Sequence, residues 1–207
     1  MALFTEAELM DELMEAASGG FPAGGSATGN PWAGDAPAGS CASPAARWAA
    51  IEERRAVRAF SPDPVPDEAL RAVLGSGSGA GLHRALAIAG GTSPGLYLAE
   101  AECAARRIAD ESTVLRLRGQ YAPAPILLLY FGTPADVRDH YRLLREAGTA
   151  GYGAWLTGVG HGLAGCPFGR SSGFATEAIR AAGHPSTRHL FTVALGRPAG
   201  TDEGGAA

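Results

Sequence analysis

Arg54-Arg55-Ala56-Val57-Arg58-Ala59-Phe60 runs directly into Ser61-Pro62-Asp63-Pro64-Val65-Pro66-Asp67-Glu68. Three arginines fall within five positions. Just upstream, Trp48, Ile51 and Arg55 recur at helical spacing. A helix ending here is expected to present Arg54 and Arg58 together, four residues apart. The prolines then make a corner. Asp67 and Glu68 open a second expected helix, Ala69 to Leu74, stopped by Gly75. Clustered guanidiniums suit a phosphate, because their planar forks bind its oxygens two at a time. A solvated helix end carrying Glu–Arg pairs is the plainer reading of the same residues.

The stretch resembles the opening of the nitroreductase-like flavoprotein superfamily. There an R-R-[ST]-x-R-x-F run precedes a P-V-x-x-x-x-L helix. Arg54 to Phe60 match the first and Pro64 to Leu70 the second, with Ala56 where the family has a hydroxyl residue. Pro94-Gly95-Leu96-Tyr97 and the run from Gly119 to Leu129 resemble the SagB-type branch, which holds azoline dehydrogenases of ribosomal-peptide pathways. Arg145 to Gly148 resemble the start of its long central helix. Gly162 to Gly169 resemble the G-L-x-x-x-P-x-G loop that touches the flavin, and Phe191 to Pro198 the last core strand. The resemblance spans Trp48 to Pro198.

It implies an α+β fold: an antiparallel or mixed sheet flanked by helices, with the long helix at a homodimer interface. It implies FMN as cofactor and NAD(P)H as a possible electron donor. Arg54, Arg55 and Arg58 would hold the phosphate. Pro167, Phe168 and Gly169 would meet the ring, and Arg170 and Arg197 would add positive charge. The implied substrate is a modified peptide or another natural-product intermediate. Two departures stand out. Gly75 to His83 occupy the place of the segment that lines the flavin pyrimidine. The branch's lysine–tyrosine pair is also incomplete, because all 17 basic residues here are arginine. A flavin-free scaffold or partner subunit in a peptide-modifying complex is therefore the second reading.

Composition narrows the classes. The chain has 207 residues, 46% of them hydrophobic, and a formal net charge of −4. That suffices for one domain with a sizeable core. The absence of lysine excludes a Schiff-base lysine and a Walker-type phosphate loop. Negative net charge argues against nucleic acid as a partner. No run reaches the ~18 apolar residues of a membrane span. The acidic start, with no base before Arg47, is unlike a signal or transit peptide, so a cytoplasmic location is expected. Cys41, Cys103 and Cys166 are too scattered for a disulfide frame or a zinc site.

Phe4 to Ala17 is expected to form an amphipathic helix, with Thr5 and Glu8 as a capping box. Ser18 to Ala46 is a Gly/Ala/Pro/Ser-rich linker. The domain is expected over 47–198, with 199–207 a disordered tail. Ala85 to Ala89 and Leu96 to Ala99 are expected to pair as a hairpin across the Gly90–Gly95 turn. Gly75 to Gly81 is expected to be a flexible loop. Ala109 to Leu117 is an expected helix. Ile126 to Phe131, continuously apolar, is the expected central strand. Asp136 to Val159 is an expected long helix whose later half is dense in glycine and alanine. Such a face lets another backbone approach closely, and a dimer partner with the flavin seat is expected on it. Phe174 to Ala182 and Leu190 to Leu195 are the last expected helix and strand.

Other motifs carry less. Gly169-Arg170-Ser171-Ser172-Gly173 matches G-x-S-x-G, but a nucleophile elbow needs a strand before the serine, and a Gly/Pro loop is expected there. His161 with Cys166, and His184 with His189, lack further ligands at zinc-like spacing, and no metal is expected.

Overall fold

The structure is a computed structural model. It describes Glu52 and residues 54–76, 81–89, 93–99 and 105–199. The expected helix over Phe4–Ala17, the linker, the Trp48–Ile51 stretch, the Gly90–Thr92 turn and the tail beyond residue 199 lie outside the described residues.

Among the described residues there are four helices: α1 (Asp67–Ser76), α2 (Glu111–Gln120), α3 (Val137–Gly160) and α4 (Gly173–Ala181). There are six strands: β1 (Leu82–Ile88), β2 (Gly95–Ala99), β3 (Ala105–Ala109), β4 (Ile126–Gly132), β5 (Ala164–Phe168) and β6 (Arg188–Gly196). The strands form one sheet in the order β3-β2-β1-β4-β6-β5, and every neighbouring pair is antiparallel. The α+β expectation holds, in its antiparallel form.

β4 is central because every one of its residues is buried. Its side chains alternate between two apolar layers. Leu127, Leu129 and Phe131 join α2 and α4 through Val114, Leu117, Ala175 and Ile179. Ile126, Leu128 and Tyr130 join α1 and α3 through Val73, Leu143, Ala147 and Ala154. The sheet is thus covered on both faces.

Side chains close the helix ends. Asp110 caps α2 by accepting the Thr113 amide, Asp136 caps α3 from Asp139, and Ser172 caps α4 from Ala175. Each such cap stabilises by roughly 1 kcal/mol. At the other end of α1, Arg84 donates to the Leu74 carbonyl. α1 continues through Gly75 to Ser76 instead of stopping at the glycine.

One expectation needs correction, and two features go beyond the sequence reading. The Gly162–Gly169 loop is mostly strand β5, paired along its length with β6. β3, an Arg–Ala stretch with no strand signal, forms by pairing with β2, where tertiary pairing overrides weak local preference. The small residues of α3 mostly serve this chain's own sheet. A Cβ at Gly151 would lie 2.6 Å from the Phe191 ring, and one at Gly158 3.1 Å from Leu195. Gly148 differs, since a Cβ there meets nothing within 4 Å.

Candidate functional site

The arginine segment is extended, and the helix expected to pair Arg54 with Arg58 is not present at these residues. Two forces favour the extended form. The prolines that follow disfavour helix at their preceding residues. Val57 and Phe60 are drawn into the apolar layer under α2 and α4. The backbone is strapped to the sheet's edge. Ala56 bridges Gly165 of β5, and the Val57 amide donates to the Gly165 carbonyl at 3.0 Å. Phe60 bridges Pro198, and the Ser61 amide donates to the Arg197 carbonyl at 2.9 Å. Extension spreads the Arg54 and Arg58 backbones roughly 13 Å apart, against roughly 6 Å in a helix.

Each guanidinium then finds its own aromatic surface. Arg54 lies 5.1 Å from the Tyr152 ring centre and 5.5 Å from that of Trp155, both on α3. Trp155 fits there because Gly165 has no side chain; a Cβ would stand 2.7 Å from the indole. Arg58 lies 5.9 Å from the Phe168 ring at the far end of β5. Arg55 is exposed and donates to the Arg54 carbonyl at 3.0 Å.

Pro167 and Phe168 are half-buried at the end of β5, and Gly169 and Arg170 are exposed just beyond it. Arg197 is elsewhere. Ala164 pairs with Gly196 and Phe168 with Thr192, so Arg197 stands roughly 13 Å or more along the strand from Phe168. The structure therefore gathers Arg58, Pro167, Phe168, Gly169 and Arg170 at one end of β5. Arg54 and Arg55 sit along the same edge, and Arg197, whose carbonyl takes the Ser61 amide, lies beside the arginine segment but away from Phe168.

Behind Phe168 is a polar cluster that no sequence motif announces. The Tyr121 ring lies 5.3 Å from Phe168, and its hydroxyl donates to the Arg170 carbonyl at 2.8 Å. His189 is 2% exposed, against Phe131 and Tyr121. Its Nδ1 accepts the Ser172 amide at 2.9 Å, so the ring proton resides on Nε2. Nε2 lies 2.9 Å from both the Phe191 carbonyl and the Thr192 hydroxyl. Burial pushes the His189 imidazole down to about 4. Burial likewise raises the Tyr121 phenol above its ordinary value.

The G-x-S-x-G segment does sit between a strand, β5, and a helix, α4. The Ser172 hydroxyl is occupied as the α4 cap, and Ser171 is exposed with its carbonyl bound by Gln120 at 3.1 Å. Among the described residues no base addresses either hydroxyl, which is not the arrangement of an activated nucleophile. His184 pairs with the His83 ring at 4.8 Å and not with His189. Among the described residues no three His, Cys, Asp or Glu side chains come together as a metal group. A separate cavity of about 250 Å³, lined by residues including Pro62, Asp67, Leu70 and Ile126, contains none of the eight residues singled out for the flavin.

An aromatic cofactor bearing a phosphate matches part of this edge. Arg58 and Arg170 are exposed cations, the first near the Phe168 ring and the second two residues beyond it, and Gly169 leaves open space, since a Cβ there meets nothing within 4 Å. Arg197 is exposed and lies farther along the strand, beside Ser61.

No family model matches the chain, and no curated protein matches it. Solved structures do. A presumed nitroreductase from Anabaena variabilis aligns with a TM-score of 0.62 at 17% identity, over 75% of this chain and 38% of its own. Another from Ralstonia eutropha aligns at 0.61 and 18%, over 78% of this chain and 85% of its own. A nitroreductase from Bacteroides fragilis, solved with bound FMN, aligns at 0.50 and 20%, over 78% and 91%. The chain thus spans well under half of the first of these proteins and most of the other two. At such identities the agreement is one of architecture: this chain has the nitroreductase fold.

Proposed function

We propose that this protein is an FMN-dependent oxidoreductase of the nitroreductase superfamily, working as a cytoplasmic homodimer. The observation that carries the reading is the end of β5 on a nitroreductase fold, where Arg58 lies over the Phe168 ring and Gly169 and Arg170 follow in the exposed turn. Arg58 and Arg170, with Arg55 along the edge, would bind the phosphate. Phe168 and Gly169 would offer a flat, open surface to the ring. FMN, when bound, would supply two-electron chemistry, with NAD(P)H as the donor class. A modified peptide of the kind handled by SagB-type dehydrogenases is the proposed substrate class, resting on the motif resemblance from Pro94 to Leu129. Among the described residues no helix is long and apolar enough to cross a membrane.

A second reading has its own support. Arg54 stacks on two rings of its own chain, and the extended segment does not converge its arginines on one point. A flavin-free partner subunit would tolerate that geometry. One titration separates the two. FMN added to the purified protein should be held with a quenched fluorescence, and Arg58→Ala with Arg170→Ala should weaken binding at least tenfold, since charge-assisted hydrogen bonds contribute roughly 1.5–3 kcal/mol each. A protein that binds no FMN is the flavin-free subunit.

A further inference from the structure

We propose that Tyr121 and His189 are positioning residues: together they latch the exposed turn from Gly169 to Ser172 and so set where Phe168 and Arg170 stand. That these residues meet a flavin rests on the function proposed above; the latch itself rests on the hydrogen bonds.

Three successive residues of the turn are held from outside it. The Tyr121 hydroxyl binds the Arg170 carbonyl at 2.8 Å, Gln120 Nε2 binds the Ser171 carbonyl at 3.1 Å, and His189 Nδ1 takes the Ser172 amide at 2.9 Å. The holders come from the end of α2 and from β6. His189 is itself part of a closed circuit. Its amide donates to Thr176 Oγ1 at 3.1 Å, and Thr176 Oγ1 donates to the Ser172 carbonyl at 2.9 Å. Ser172, His189 and Thr192 are 1%, 2% and 0% exposed. Buried polar groups persist only when paired, so removing one member strands the others.

The turn has little else to define it. Gly169, Arg170 and Ser171 are all exposed, and strand pairing stops at Phe168. An apolar residue at position 189 could fill the same volume, but it would leave the Ser172 amide buried without an acceptor. The groups facing the ring are Tyr121 just past α2, Phe131 from β4, Ser172 at the α4 cap and Thr176 within α4, and Thr192 from its own strand. None is a carboxylate, and the charged group that acts on Tyr121 is the Arg170 guanidinium. Protonating Nδ1 would set one N–H against another with no counter-charge, so acid opens the latch.

The test uses the full chain and trypsin, which cuts after Arg170 only when the turn opens. Tyr121→Phe and His189→Leu should each speed nicking at Arg170 about tenfold, the factor for losing one buried hydrogen bond of about 1.4 kcal/mol. His189→Gln should restore slow nicking, because its amide oxygen can accept the Ser172 N–H. Equal nicking in His189→Leu and His189→Gln would reduce the residue to packing and overturn the latch. If His189→Leu does not fold, Tyr121→Phe decides, and wild-type nicking in that variant overturns the proposal. Nitrogen-15 spectra should place the imidazole proton on Nε2; a proton on Nδ1 also overturns it. FMN affinity measured on the same variants should fall where nicking rises. Should wild type bind no FMN, the flavin reading fails while the nicking result still judges the latch.

Discussion

The two covers of the sheet are built on opposite principles. Under α3 the contact is dry and depends on missing atoms: Gly151 and Gly158 let the helix settle onto Phe191 and Leu195. Under α4 the contact is partly polar and depends on atoms that must be present: buried Ser172, His189 and Thr192 and half-buried Thr176 bind one another. A dry interface fails when something is added, and a buried polar one fails when something is removed. Predictions for the two sides therefore run in opposite chemical directions.

The largest effect should come from the layer both covers share. Leu128→Ala hollows the α3 side and Leu129→Ala the α4 side, each at a residue with no exposure. Each should cost about 2–5 kcal/mol in denaturant unfolding. A difference between them beyond that range would show that one cover dominates stability.

Next comes acid. His189 titrates at about 4 in the fold against its ordinary 6.5, so the unfolded chain binds more protons between those values. The stability from keeping it neutral is complete above pH 6.5 and is lost as pH falls to 4, by about 3 kcal/mol in all. His83, lowered by burial and by His184, acts in the same direction. Urea unfolding across this window should flatten in His189→Gln and keep most of its slope in His83→Gln. The reverse pattern would place the acid sensitivity on the β1 side.

Smaller effects separate two glycines of one helix. Gly151→Ala should destabilise by about 1–3 kcal/mol, because its Cβ meets the Phe191 ring. Phe191→Ala in the same molecule should relieve part of that clash. Gly148→Ala should instead stabilise by about 0.5–1 kcal/mol, since its Cβ meets nothing and alanine is the better helix former. Gly148 is also the better probe of the proposed homodimer. Gly148→Leu should leave the protomer folded and shift a dimer toward monomer in light scattering, whereas Gly151→Leu would disturb the protomer itself.

Much of the architecture was legible in the sequence because it depends on local pattern. Ile126 to Gly132 is apolar at every position but the last and turns out buried throughout and central. The helices over Glu111–Gln120, Val137–Gly160 and Gly173–Ala181 lie within three residues of the helices expected over Ala109–Leu117, Asp136–Val159 and Phe174–Ala182. The hairpin of β1 and β2 follows from two apolar runs around a glycine turn. The arginine run was legible as a feature, but its conformation was not. Helical spacing favoured a helix, while the pull of Val57 and Phe60 into the core and the bridge to Gly165 drew it out straight.

What tertiary structure alone decided is clearest at His189. On β6, Phe191, Val193 and Leu195 face α3, and simple alternation would send position 189 to that side too. The register instead slips between Tyr130 and Phe131: Tyr130 pairs with Phe191 and Phe131 with His189, leaving Leu190 as the extra residue. Leu190 joins Phe191 in the layer under α3, and His189 turns to Tyr121 and Ser172. Composition and periodicity determined that this chain folds into a covered sheet with an arginine-bearing edge. A one-residue bulge, set by pairing between distant strands, determined that a buried histidine stands behind that edge, because only strand register chooses the face a side chain takes.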